Sequence, residues 1–146
     1  MENLRLKFRV WDKYFNRYWT DEEVKNNIQW LLYPDNENIE NVIIEQCTGL
    51  RDKNGKLIFE GDVVIYEVFV SDWSDEKRKG YGIVYYDDNQ HAFGVKTIRQ
   101  TVTSCFGLNK LISEIEVIGN IHENPDMLKN ADNFNTSGGN VKGDNR

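Results

Sequence analysis

Apolar and basic residues alternate strictly along residues 4–11, Leu-Arg-Leu-Lys-Phe-Arg-Val-Trp, near the start of the chain. A period of two over this length predicts a half-buried β-strand, because successive side chains of a strand point to opposite faces. The apolar face would pack into the interior with Leu4, Leu6, Phe8 and Val10. The opposite face would carry three cations, Arg5, Lys7 and Arg9.

The spacing of apolar residues becomes helical after Trp19. Thr20 and Glu23 have the spacing of a capping box, in which each side chain bonds the other residue's backbone N–H at a helix start. Tyr33-Pro34 is expected to end the helix, because the residue before a proline avoids the α conformation. The pattern predicts a helix over about residues 21–32, with four apolar positions at helical spacing: Val24, Ile28, Leu31 and Leu32.

Short apolar runs separated by turn residues fill the middle of the chain. Asn54-Gly55 predicts a hairpin with a tight primed turn, since both residue types tolerate positive φ. Residues 63–70 are almost entirely apolar, which predicts a strand that is covered on both faces or crosses a barrel. A charged connection over residues 71–80 leads to further strand patterns at 81–86, 91–98 and 114–121. Several short strands with such turns predict a small β-barrel or roll.

Composition and charge narrow the classes of partner. The chain of 146 residues is 39% hydrophobic, enough for a core, and its net charge is −6. This acidity argues against nonspecific nucleic-acid binding, which depends on Lys and Arg. No apolar run approaches the roughly 18 residues of a membrane span, and the N-terminus lacks an apolar stretch of signal-peptide length. We therefore expect a cytoplasmic protein.

Residues with reactive side chains are few and widely spaced. Cys47 and Cys105 are expected to be buried thiols, because disulfides are rare in the cytoplasm. His91 and His122 complete no zinc-ligand spacing and are expected to be structural. We expect no metal, no cofactor and no catalytic residue. Several Asp and Asn residues are instead expected to accept backbone N–H bonds in turns: Asp12, Asp52, Asp62, Asn120 and Asn124.

A charged segment with interleaved aromatic residues is the most suggestive surface. Lys77, Arg78 and Lys79 lie close in sequence to Trp73 and Tyr81. A solvated loop explains this segment without any ligand. If it binds, a protein partner or a nucleic acid remains open, since basic groups can follow a phosphate backbone while bases stack on the rings. Nucleic acid would also contact the three cations of the N-terminal strand. Acidic neighbours of Lys77–Lys79 largely cancel the charge of this segment: Asp72, Asp75 and Glu76.

Three blocks of sequence carry a resemblance to a known family. The first is Lys-Phe-Arg-Val-Trp-Asp at residues 7–12, the second covers residues 48–56 and 58–64, and the third is Glu-Val-Ile-Gly-Asn-Ile-His-Glu-Asn-Pro at residues 116–125. In this order they resemble the YopX family, found mostly in phages and prophages of Gram-positive bacteria. The resemblance implies an SH3-type barrel with an N-terminal extension and a phage or prophage origin. It carries over no catalytic residue.

Together these patterns predict a mainly β protein, with an SH3-like barrel, a small α+β N-terminal part and a disordered C-terminal tail. The N-terminal part is expected over residues 1–56, the barrel over 57–128, and the tail, which is poor in apolar residues, over 129–146. The expected function is a non-enzymatic module that binds a phage or host protein in the bacterial host cytoplasm. Self-association through unpaired strand edges is compatible with this role. The alternative is a nucleic-acid-binding accessory protein of phage development.

Overall fold

The computed structural model describes residues 6–32, 40–69, 73, 75–97, 106–107 and 115–130. Arg5, Cys105 and residues 131–146, which make up most of the predicted tail, lie outside the described residues. The strands are β1 (Phe8–Asp12), β2 (Arg17–Tyr18), β3 (Val42–Arg51), β4 (Leu57–Phe59), β5 (Asp62–Phe69), β6 (Lys77–Asp87), β7 (Ala92–Thr97), β8 (Phe106–Gly107) and β9 (Glu116–Asn120). The helices are α1 (Asp21–Asn26), α2 (Ile28–Leu32) and α3 (Pro125–Asn130).

The strands form two antiparallel sheets, so the prediction of a mainly β protein is confirmed. The first sheet has the order β2-β1-β3-β4, and the second has the order β8-β7-β6-β5-β9. The second sheet packs with Ile58 of β4 around one apolar core, whose other buried members are Val64, Tyr66, Val84, Val95, Ile115 and Val117. Within the described residues, no helix is both long enough and apolar enough to cross a membrane.

The β3–β4 hairpin connects the two sheets. Cys47 of β3 pairs with Phe59 of β4, and the turn between these strands reaches β9 through a bond from the Val117 N–H to Asp52 Oδ2 at 3.0 Å. The Lys53 N–H also donates to the Ile115 carbonyl at 3.0 Å. The β3–β4 pairing of the first sheet therefore crosses the expected boundary between residues 56 and 57. The division into an N-terminal part and a barrel stays a prediction.

The predicted helix begins where expected but is divided in two. The capping box is present, with the Glu23 N–H donating to Thr20 Oγ1 and the Thr20 N–H donating to Glu23 Oε2. Asn27 then separates α1 from α2, because its side-chain amide donates to the Glu23 carbonyl at 2.8 Å. Such local bonds from Asn compete with the helical backbone pattern. The expected end at Pro34 lies outside the described residues.

The first strand is shorter than predicted and is covered on both faces. β1 begins at Phe8, and Leu6, expected to point inward, is 74% exposed. Val10 and Trp11 point to opposite faces, yet they are 0% and 5% exposed. The second face is covered because Trp11 stacks on His122, which follows β9 of the other sheet. The expectation of a half-buried strand was therefore wrong for this part of β1.

Two turn predictions need correction. The hairpin at Asn54-Gly55 forms, but Gly55 alone of the two has positive φ, at +83°. Asp52 Oδ1 accepts the N–H groups of Asn54 and Lys56 at 2.9 Å, which supports a wider turn than the primed type. The charged connection after β5 is also shorter than predicted, because β6 begins at Lys77. Lys77 pairs there with Glu67 of β5 at 3.6 Å, a cross-strand contact of opposite charges.

Candidate functional site

Polar side chains from both sheets meet at the place where the sheets contact each other. This cluster, here called the polar junction, comprises Arg9 of β1, Tyr18 of β2, Glu45 of β3, Asp62 of β5 and His122 after β9. Glu45 and Asp62 are 3% and 1% exposed. Buried carboxylates need partners because an unpaired charge is costly to remove from water, so their contacts define what the junction can do.

Glu45 lies at the centre of the junction and its two oxygens have different partners. Arg9 Nε donates to Oε2 at 2.6 Å, and the Tyr18 hydroxyl donates to the same oxygen at 3.0 Å. His122 Nε2 lies 2.8 Å from Oε1. Arg9 and Glu45 are direct neighbours across the β1–β3 ladder, so the strand register itself brings this pair together.

Arg9 links Glu45 to the second sheet. Its Nη2 lies 2.8 Å from Asp62 Oδ1 and donates to the Glu60 carbonyl at 3.0 Å. The guanidinium also lies over the rings of Tyr18 and Phe59, 4.7 and 4.9 Å from their centroids. Arginine suits such a site because its planar group can bond in the plane while its faces contact aromatic rings.

The local backbone explains how the second sheet presents its residues. Gly61 has φ of +78°, and a Cβ at this position would overlap Oε1 of Glu45. Asp62 Oδ2 accepts the Phe59 N–H at 2.8 Å, which fixes the turn before β5. Position 61 therefore requires glycine for two reasons. The backbone is in the left-handed conformation, and the Glu45 side chain approaches too closely for a Cβ.

The position of His122 is set by the loop after β9. Asn120 Oδ1 accepts the N–H groups of His122 and Glu123 at 3.1 and 2.9 Å. The imidazole stacks on Trp11 with centroids 4.8 Å apart and planes 9° apart. The predicted turn role of Asn120 is thus confirmed, and its consequence is to hold His122 against Glu45.

Burial and pairing have opposite effects on the pKa values of the junction residues. Burial disfavours the charged form of a group, and a nearby opposite charge favours it. Burial raises the pKa of Asp62 above its ordinary value, although the charge of Arg9 partly offsets this rise. Burial opposes the charge of Arg9, but Asp62 and Glu45 outweigh it, and the pKa of Arg9 is raised. Burial is also the main cause of the strongly raised pKa of Tyr18, which keeps this phenol protonated and able to donate to Glu45.

The contacts of the junction join the two sheets. Both oxygens of Glu45 and both oxygens of Asp62 have partners among the protein groups. Within the described part of the chain, no three His, Cys, Asp or Glu side chains are grouped to hold a metal ion.

Comparison with known proteins places the chain in a family. The family model described as YopX protein matches residues 7–129. The chain belongs to the YopX family. No curated protein matches it. Among solved structures, this YopX-family chain is similar to protein EF1440 from Enterococcus faecalis, with 27% identity, a TM-score of 0.49, and coverage of 84% of this chain and 96% of that one.

The blocks that carry the YopX resemblance converge on the polar junction. Arg9 lies in the first block, Asp62 in the second and His122 in the third. Sequence reasoning gave no role to Glu45. Its position inside the apolar run of β3 was the available clue, since an acid in a strand pattern requires a partner when the strand is buried.

The candidate contact residues fall into separate places in this YopX-family protein. Trp73 lies between β5 and β6 and is 98% exposed. Lys77, Lys79 and Tyr81 lie on one face of β6. Lys79 and Tyr81 are opposite Glu67 and Ile65 of β5, and Lys77 forms a salt bridge with the same Glu67. The others are dispersed: the backbone of Arg78 pairs with Val68, Lys7 lines a groove beside α1, Arg9 belongs to the polar junction, and Arg5 lies outside the described residues.

Proposed function

We propose that this YopX-family protein is a non-enzymatic protein-interaction module of phage or prophage development, acting in the bacterial host cytoplasm. The observation that carries the proposal is the exposure of Trp73, 98% of whose surface is open to solvent. Tryptophan is among the residues most enriched in the energetic centres of protein interfaces. Its ring offers a large apolar area that is removed from water when a partner covers it.

The charged residues that follow Trp73 in the sequence favour a protein over a polyanion as partner. Lys77 pairs with Glu67, and Lys79 lies opposite the same glutamate in the β5–β6 ladder. Charges of both signs thus lie side by side on β5 and β6, as suits the polar rim of a protein interface. The antiparallel five-stranded sheet, with one apolar cluster on it, supports the further proposal of an SH3-like barrel.

Nucleic-acid binding is the alternative function. Arg9, one of the three N-terminal cations proposed for it, has its charge compensated inside the molecule by Glu45 and Asp62. The net charge of −6 also opposes binding to phosphates. A gel-shift titration across a salt series separates the two functions, because phosphate contacts give an affinity that falls steeply with salt.

A pull-down from infected host cells tests the main proposal. We expect the wild-type protein to recover a phage or host protein, and Trp73→Ala to recover at most about one tenth as much. Tyr86→Ala, which removes another exposed aromatic ring, is the matched control and should bind like the wild type. Recovery of nothing except the protein itself would contradict the proposal.

A further inference from the structure

The turn between β1 and β2 displays two aromatic rings to solvent. Tyr14 and Phe15, here called the aromatic turn, are 82% and 65% exposed. Their rings touch edge to face, with centroids 5.0 Å apart and planes at 86°. Two adjacent exposed rings form a single apolar projection, which is unusual on a surface where exposed apolar residues are normally scattered.

The aromatic turn is held rigidly by the residues at its base. Asp12 Oδ1 accepts the N–H groups of Tyr14 and Phe15, each at 2.9 Å. Its Oδ2 accepts Trp19 Nε1 at 3.0 Å, and this bond is the largest cause of the lowered pKa of Asp12. Asn16 adopts φ of +54°, which reverses the chain. A projection fixed in this way loses little conformational freedom when it is bound.

An apolar groove lies beside the other end of β1. Its apolar lining consists of Leu6, Phe8, Val24 and Ile28, and its cavity volume is about 330 Å³. Leu6 is 74% exposed and Ile28 is 38% exposed. The rim carries polar atoms within reach of an incoming hydroxyl group, from Lys7, Asp21 and Lys25.

The groove and the aromatic turn match in size and chemistry. A dry apolar cavity of roughly 150 Å³ holds one benzene molecule, so about 330 Å³ suits two aromatic rings. The turn supplies two rings, and the Tyr14 hydroxyl can bond the polar rim while Phe15 contacts the apolar floor. Burial of both exposed surfaces removes apolar area from water on each side of the contact.

Within one chain, the groove and the aromatic turn lie at opposite ends of β1. The groove is lined by Leu6 and Phe8 at the start of the strand, whereas the turn follows Asp12 at its end. A strand rises about 3.4 Å per residue, so roughly 14 Å of rigid ladder separates them. A turn therefore fits the groove of another molecule, not that of its own.

We propose that the aromatic turn of one copy occupies the apolar groove of a second copy of this chain. Each copy carries both elements, so two copies can make the contact twice in a closed dimer, as two-fold symmetry allows. This contact is independent of Trp73 and goes beyond the partner binding proposed above.

Sedimentation equilibrium of the full chain tests the contact with two complementary variants. The turn variant is Tyr14→Ser with Phe15→Ser, and the groove variant is Ile28→Arg. We expect the wild type to self-associate. Each variant alone loses both copies of the contact and should associate about a thousandfold more weakly, since truncating one energetic centre of an interface costs about thirtyfold. Tyr86→Ser is the matched control, because it removes an exposed aromatic ring elsewhere and should leave the association constant unchanged.

An equimolar mixture of the two variants tests the proposed contact more directly than either variant alone. The groove variant keeps an intact turn and the turn variant keeps an intact groove, so an equimolar mixture should regain one contact and stop at a complex of two chains. Leu6→Arg replaces Ile28→Arg if circular dichroism shows that the latter is unfolded. A wild-type chain that stays monomeric, variants that associate like the wild type, or a mixture no more associated than its components would each overturn the proposal. A monomeric wild type that still recovers a heterologous partner would leave the proposed function standing.

Discussion

The molecule has two buried regions, and they contain different types of side chain. In the apolar core, Ile58 of β4 and Val64 and Val95 of the second sheet are at most 1% exposed and contact other hydrophobic side chains. At the polar junction, Glu45 and Asp62 are buried to a similar degree but contact Arg9 and other polar groups. An apolar interior tolerates changes that keep volume, whereas a buried ion pair depends on every partner, since removing one leaves an unpaired charge.

The largest effect is expected from removing the centre of the junction. Glu45→Ala leaves the buried charge of Arg9 without one of its carboxylates and removes the partner of Tyr18 and His122. We expect the free energy of unfolding in urea to fall by about 3–5 kcal/mol, the usual cost of breaking a buried pair. Glu22→Ala, at an exposed position of α1, should change it by less than about 0.5 kcal/mol. Equal losses from the two substitutions would show that the buried carboxylate of Glu45 matters no more to stability than an exposed one.

The close approach of Gly61 to Glu45 offers a second way to disturb the junction. Gly61→Ala adds a Cβ that overlaps Glu45 Oε1 as well as straining a residue at φ of +78°. Gly55→Ala, at φ of +83°, adds a Cβ with nothing within 4 Å, so it isolates the backbone strain, roughly 1 kcal/mol. We expect Gly61→Ala to cost about 2 kcal/mol more than this control. Equal losses in thermal and urea unfolding would mean that Glu45 yields without cost.

Asp52 gives a pH-dependent test at the second point where the sheets meet. Burial opposes its charge, but bonds from the N–H groups of Val117, Lys56 and Asn54 outweigh burial and lower its pKa below the ordinary 3.8. A carboxylate with a lower pKa in the folded state stabilises the fold above about pH 4 and loses this contribution as the pH falls through and below that value. We expect Asp52→Asn to cost roughly 1–3 kcal/mol at pH 7.

The cost of Asp52→Asn should shrink as the pH is lowered to 3. The carboxyl of the unfolded wild-type chain, whose pKa is the higher one, is protonated first, and this uptake of a proton favours unfolding. Urea unfolding at the two pH values measures this change. A cost that is the same at pH 7 and pH 3 would show that the charge of Asp52 does not matter.

The smallest effect is expected in the apolar core. Ile58→Val removes one methylene group from a fully buried side chain and should cost about 0.5–1.5 kcal/mol. Glu45→Gln, which also nearly conserves volume, should cost more, because Arg9 then lacks a charged partner. Stability measurements that reverse this order would show that the junction is as tolerant as the core.

The same comparison explains what the sequence could predict. The capping box and the turn bonds of Asp12 and Asp52 were predictable because donor and acceptor lie two to four residues apart. The contacts of Glu45 join residues 36 and 77 positions away. They depend on the register of β1 against β3 and on the packing of the two sheets, which no local pattern contains.

Arg9 shows most clearly which contacts a local sequence pattern does not predict. In the alternating pattern of the first strand it was one of three cations on a face expected to be open. In the structure its guanidinium lies between Glu45 and Asp62, because the second sheet covers that face. The broken helix at Asn27 has a simpler cause, since an internal asparagine can always bond the backbone locally, and periodicity does not report this competition.

A double-mutant cycle on Arg9 and Glu45 tests most directly whether the junction is a joint whose charges depend on each other. Arg9→Ala, Glu45→Ala and the double variant are compared with the wild type by the free energy of unfolding in urea. Coupled contacts in one network give interaction energies of up to about 3 kcal/mol, and we expect roughly 2 kcal/mol for this pair. Losses that add to within about 0.5 kcal/mol would mean that each side chain acts alone, and would contradict the account.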